Sequence, residues 1–185
     1  MSMTNAQILT EVNARTNRAE TDISTIRNAV LTDLSMAWNF LEKTSSVTVS
    51  AAAQSAALPS GCIKVKSVTD SSGKVLQPVS IEELLNFQAV NPATGVARKW
   101  SQHNDSLYVY PAPTSETTYT AYHSYESVDV DDFDDCFDEA IVEGCCFKLY
   151  ESLGLLGELP AAQTHLELYR AQLETLKQRF SDRGA

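Results

Sequence analysis

The sequence has no long apolar run. Nothing in it approaches the roughly 18 to 20 consecutive apolar residues that a membrane-crossing helix needs, and its start lacks the basic and then apolar stretch of a signal peptide. A membrane span and export by the general route are therefore not expected. Cysteine is sparse: Cys62, Cys136, Cys145 and Cys146 show no C-x-x-C spacing, and the adjacent pair Cys145-Cys146 cannot easily bridge internally. Reduced, buried thiols are expected rather than disulfides or a metal centre. Positive charge is short as well. The chain has 14 Lys and Arg against 24 Asp and Glu, a net charge of -10, which disfavours tight sequence-independent binding to DNA or an anionic membrane. It does not exclude a wall past which DNA slides, where weak or repulsive contact is an advantage.

Catalytic signatures are missing too. There is no G-x-S-x-G, no phosphate-cradling G-x-x-x-x-G-K-[ST] and no G-x-G-x-x-G. His103, His123 and His165 fall in an expected turn, strand and helix with no H-x-x-x-H or H-E-x-x-H spacing. A zinc site or a Cys-His nucleophile would have to be assembled by tertiary structure alone. The densest carboxylate run, Asp129 to Asp138, fails as a calcium loop. Phe133 takes the third ligand position, Asp134 sits where the sharp turn needs Gly, and Ala140 falls where the bidentate Glu belongs. No cofactor is expected.

What is present reads as a globular chain. Its 185 residues, 43% hydrophobic and 21% charged, are enough for one domain with a sizeable core or one domain carrying a small insertion. Thr4 and Gln7 form a capping-box signature for a helix to about Arg18, whose apolar stripe is only Ile8 and Val12. A stronger helix is predicted from Asp22 to Leu41, with Ile23, Ile26, Val30, Leu34, Ala37 and Leu41 inward and Thr25, Asn28, Thr32, Ser35 and Asn39 outward. Short strands follow at 46–50, 62–68, 74–76, 96–101, 107–110 and 117–125. Ala51 to Ala57 is a link, Ser80 and Glu83 cap a short helix from Ile81 to about Asn86, and 103–105 is a turn. The tyrosines Tyr108, Tyr110, Tyr119, Tyr122 and Tyr125 have no basic residues interleaved in their strands, so packing or a protein interface is the expected use.

The C-terminal part is the most informative. Asp131, Asp132, Asp134, Asp135, Asp138 and Glu139 are expected in the first turns of a central helix, where exposed N–H groups and the helix dipole favour negative charge. From Ala140 to Tyr150 only Glu143 and Lys148 interrupt an otherwise apolar run, so the helix has no broad polar face and must be covered on more than one side. A seam of Leu159, Ala162, Leu166, Tyr169, Leu173, Leu176 and Phe180 predicts a last helix lying lengthwise on it as an αα-hairpin. The predicted fold class is thus α+β. A helical bundle is formed by N-terminal helices (1–45) and the C-terminal hairpin (127–185), with a small antiparallel β module inserted (46–126). Any face of the central helix left over is where a neighbouring subunit would be sought.

This order of segments resembles the head-to-tail adaptor, or connector, proteins of tailed bacteriophages, the ring beneath the portal. The likeness covers about Ile23 to Phe180. It rests on Leu58-Pro59 entering a strand, on Gly73-Lys74-Val75-Leu76-Gln77-Pro78-Val79-Ser80 before a short helix, and on Asp105-Ser106-Leu107-Tyr108-Val109-Tyr110-Pro111-Ala112-Pro113 before a Tyr-rich strand. The acidic entry into Glu139-Ala140-Ile141-Val142-Glu143-Gly144-Cys145 completes it. The resemblance implies a non-enzymatic virion protein at the head-tail interface, assembled in the host cytoplasm. It further implies a ring of about twelve copies that docks on the portal protein, extends the DNA channel and carries tail proteins. It supplies no catalytic residue. Within that reading, portal contact is assigned to Leu173, Leu176, Arg179, Phe180 and Arg183, and Asp131, Asp132, Asp134 and Asp135 are candidates to face the channel. The alternatives are a metal-dependent hydrolase using the 129–138 carboxylates and a monomeric protein-binding module.

Overall fold

A computed structural model describes residues 2–38, 40–154 and 159–181. The chain forms two compact units: one from residues 1–41 and 127–185, the other from 42–126. The first is helical. Helix α1 (Asn5–Thr16) begins with the full capping box, Thr4 accepting from the Gln7 N–H while the Gln7 side chain accepts from the Thr4 N–H. It ends at Asn17 in the left-handed conformation. Helix α2 spans Ser24–Trp38, α4 spans Asp138–Leu153 and α5 spans Leu159–Ser181.

Helix α4 is the axis of this unit, and α1, α2 and α5 all pack on it. Every residue from Ala140 to Cys146 is buried, including Glu143 and Gly144. No face of this stretch is left for a neighbouring subunit, because α1 takes the side that α2 and α5 leave open. The seam on α5 is used as predicted: Ala162, Tyr169 and Leu176 are buried and Leu166, Leu173 and Phe180 half-buried. Leu159 and Arg183, with residues 155–158, have side chains outside the described set.

Two expectations fail here for physical reasons. The acidic stretch is not the first turns of α4. It folds as two 3-10 turns, Val130–Asp132 and Asp135–Phe137, and the α-helix starts at Asp138. Val130, Phe133 and Phe137 are all buried, and the two turns seat Phe137 against Phe133 and against Phe40 and Phe180, which are distant in the chain, with ring centres 5.3 to 5.5 Å apart. On α2 the buried face is rotated. Leu31 and Ser35 are fully buried while Ala37 is exposed. Ser35 is tolerated inside because its hydroxyl donates to the Leu31 carbonyl at 2.9 Å and accepts from the Ser127 N–H at 3.4 Å.

The second unit holds two small sheets around a core that includes Val47, Val65, Val68, Trp100, Leu107, Val109 and Tyr119. One sheet has the order β1-β7-β3, with β1 (Glu42–Val49), β3 (Cys62–Thr69) and β7 (Thr117–Tyr125) all antiparallel. The other has the order β2-β6-β5-β4, from β2 (Ser55–Ala57), β4 (Gln77–Pro78), β5 (Lys99–His103) and β6 (Ser106–Tyr110). Helix α3 (Ile81–Val90) lies against β5 and β6, longer than predicted.

Several strands shift from their expected places. β1 starts four residues before the alternating stretch because β7 continues alongside it to the Glu42–Ser124 pair. The expected link 51–57 contributes β2. The expected return strand 74–76 makes only a bridge from Val75 to Thr69, and the chain then pairs parallel to β5 at Gln77 and Pro78. His103 belongs to β5 rather than to the turn, which is made by Asn104 at φ +50°. The Gln102 side-chain amide accepts from Val65 N–H at 2.7 Å and donates to Ile63 C=O at 3.2 Å, so backbone groups on β3 are satisfied by the neighbouring sheet.

Gly144 marks the tightest packing on α4. A Cβ there would lie 2.8 Å from Val30 Cγ1 and 3.1 Å from the Tyr169 ring. Val is stiff at χ1, so neither neighbour yields easily. Gly144→Ala is predicted to lower unfolding free energy by about 1 to 3 kcal/mol through overpacking, outweighing its roughly 1 kcal/mol gain in helix propensity; chemical denaturation measures the difference.

Candidate interaction sites of the helical unit

The central feature of the helical unit is a buried carboxylate shared by three helices. Glu143 on α4 has a side chain only 4% exposed. One of its oxygens accepts from Arg15 of α1, and the other lies 2.5 Å from His165 Nδ1 of α5. Arg15 also forks onto Glu139, one turn earlier on α4, at 2.7 and 3.0 Å. This bidentate pairing raises the Arg15 pKa further above its ordinary value and holds the Glu139 carboxyl below the usual carboxylate range. Tyr150 covers the site, stacking on His165 with ring centres 5.7 Å apart and donating from its hydroxyl to the Thr16 carbonyl at 3.3 Å.

A buried ion pair is weak evidence for net stability, but removing one partner strands the other charge. The arrangement fixes α1 and α5 against α4. The neighbouring thiols Cys145 and Cys146 are pushed up to about 12 by burial, so neither is an available nucleophile at neutral pH. All four cysteines are free. Sequence reading missed this node, although its signal was present: one carboxylate in the middle of an apolar run, with a second four residues before it.

The acidic segment is built around Ser127. The Ser127 N–H meets buried Ser35 of α2, its hydroxyl donates to Asp132 Oδ2 at 2.5 Å and accepts from the Asp129 N–H at 3.0 Å, and Asp129 caps the Asp131 N–H at 3.1 Å. Asp131, Asp132, Asp134 and Asp135 are exposed. Among the described residues, no group of three His, Cys, Asp or Glu is placed to hold a metal ion. Asp138 instead accepts from the Met3 N–H at 3.0 Å.

The end of α5 closes over an aromatic cluster. Phe180 lies 5.1 Å from Phe40 and 5.5 Å from Phe137, and Phe40 lies 5.3 Å from Phe137. Leu176 is buried beside this end, Leu173 is half-buried and Arg179 is exposed. In the β unit, His123 is fully buried between Ser45 Oγ at 3.0 Å and the Ser124 carbonyl at 3.1 Å, and His103 is exposed. Pairing across strands also puts a cation where the strands alone offered none: Lys43 sits 3.9 Å from the centre of the Tyr125 ring.

Charge is divided unequally between the units. Residues 1–41 and 127–185 carry 17 Asp and Glu against 8 Lys and Arg, a balance of -9, whereas residues 42–126 carry 7 against 6, a balance of -1. Nearly all of the net negative charge therefore belongs to the helical unit.

The Glu143 node sets an order of mutational effects. Arg15→Ala leaves a buried carboxylate with His165 alone and is predicted to cost about 3 kcal/mol. Glu143→Met removes the buried charge itself, leaves Arg15 paired with Glu139, and is predicted to cost clearly less in the same urea titration.

Among curated proteins, none matches the chain. No helix among the described residues is long and apolar enough to cross a membrane. The family described as SU10 adaptor protein matches residues 3–185, nearly the whole length. The chain belongs to the SU10 adaptor protein family, a phage head-tail adaptor family, and is by that membership a structural adaptor protein.

Proposed function

We propose that copies of this chain form a ring, of about twelve, that docks on the portal, prolongs the DNA channel and supports the tail proteins. The observation that carries this reading is the family match over 3–185. The charge partition supports it independently. A ring of helical units at -9 each would be strongly negative, and its field would keep phosphate from lodging on the wall as DNA passes. The non-enzymatic reading follows from the same membership, and the buried, unreactive thiols fit it.

In this proposal the last turns of α5 contact the portal. Leu176 and Phe180 anchor that end on the bundle, Leu173 lies half-buried, and exposed Arg179 presents a planar cation to acidic groups or backbone acceptors on the portal. Arg183, part of the same assignment, lies outside the described residues. Asp131, Asp132, Asp134 and Asp135, exposed and held in short turns, are assigned to the channel wall.

Two experiments test these assignments separately. Replacing Asp131, Asp132, Asp134 and Asp135 together with Asn is predicted to leave virions assembled but to slow DNA ejection; an unchanged ejection rate removes these residues from the channel wall. Arg179→Glu is predicted to weaken association with purified portal by about tenfold, near 1.4 kcal/mol, with thermal stability unchanged; undiminished binding takes Arg179 out of the contact.

A further inference from the structure

Helix α1 is held differently from its neighbours. The residues it buries are Ile8, Val12 and Thr16, only two of them apolar. By contrast, Val30, Leu31 and Leu34 of α2 are all fully buried, and α5 has a seam seven residues in period along α4. What fastens α1 is mostly polar. Its N-terminal end is tied by the Met3 N–H to Asp138, its C-terminal end by Tyr150 to the Thr16 carbonyl, and between them Arg15 grips Glu139 and Glu143. It runs parallel to α4, since Met3 meets Asp138 and Thr16 meets Tyr150.

The turn after α1 is a made hinge. Asn17 has φ +52°, and the Asn13 side chain both donates to the Glu20 carbonyl and accepts from the Glu20 N–H, each at 2.9 Å. These bonds join the linker to α1 itself, so residues 17–20 keep their fold with α1 whether or not it is docked on α4. We propose that α1 is a charge-held latch: it lifts from α4 as a unit when the contacts of Arg15 with Glu139 and Glu143 are lost, while α2, α4 and α5 stay packed.

Acid is one way to lose those contacts. The groups facing the two carboxylates are Glu11 and Arg15 from α1, Cys146 on α4 itself and His165 from α5; on α2, Asp33 pairs with Lys148, and Arg27 acts on Cys145. The Glu139 carboxyl is held below its ordinary range by Arg15. Its contribution is therefore fully present above the ordinary carboxylate pKa and is lost as pH falls through the depressed value. Arg15 stays charged throughout, so Glu139 is the group that switches.

Amide hydrogen exchange on the full chain, corrected for the intrinsic effect of pH, separates a latch from a seamless bundle. As pH falls from about 7 to below the ordinary carboxylate range, exchange in residues 5–16 is expected to rise by at least about tenfold while 141–149 keeps its protection. Arg15→Gln at neutral pH is the deciding arm, because it removes the charge without acid. The same confined rise over 5–16, partly reversed in Arg15→Lys, is expected. Joint loss of protection in 5–16 and 141–149 in that variant, or no change in 5–16, overturns the latch.

Discussion

The helical unit is organised by one constraint: α4 has no polar face and is covered on every side. From Ala140 to Cys146 nothing reaches solvent, and full burial of a large apolar side chain is worth about 1.5 to 3 kcal/mol. Three helices do the covering, and two features of α4 let them approach. Gly144 removes the side chain where Val30 and Tyr169 come closest. Glu143, the one buried charge, is made tolerable by partners from two of the covering helices and in return fixes where those helices sit. A residue that looks like a flaw in an apolar run is the point that gives the run its register.

Much of this was legible in the sequence, and the failures share a cause. The heptad seam of α5 and the capping box of α1 are local patterns, and local patterns read well. What misled was burial supplied by partners far away in the chain. The carboxylates at 131–135 looked like the start of a helix because that is where dipole and free N–H groups favour them. Phe137 instead packs on Phe40 and Phe180, distant in the chain, and the backbone turns twice over this buried cluster. Ser35 looked outward on composition, yet a hydroxyl that can donate to its own helix and accept from Ser127 is at home inside. β1 grew because β7 was there to pair with it. The Arg15–Glu143–His165 node joins residues more than a hundred positions apart and could be suspected only from the lone Glu143.

The functional reading rests on similar separations of scale. Fold class and the absence of local catalytic spacing came from patterns within single segments, and family membership came from the match along nearly the full length. The charge partition became visible only once the two units were delimited. A single -10 chain is unremarkable, but placing -9 of it in one unit and repeating that unit around the proposed ring would make electrostatics a property of the assembly. The proposed latch of α1 belongs to a different level, the uneven stability inside one chain, and does not depend on the ring.

The central functional claim concerns assembly on a portal, and mass measurement under native conditions tests it most directly. The full-length protein is measured alone, then mixed with purified portal ring. Docking predicts a new species in which about twelve chains are added to the portal, whether or not the protein alone stays monomeric. A mixture in which both components keep their separate masses at all ratios would contradict it.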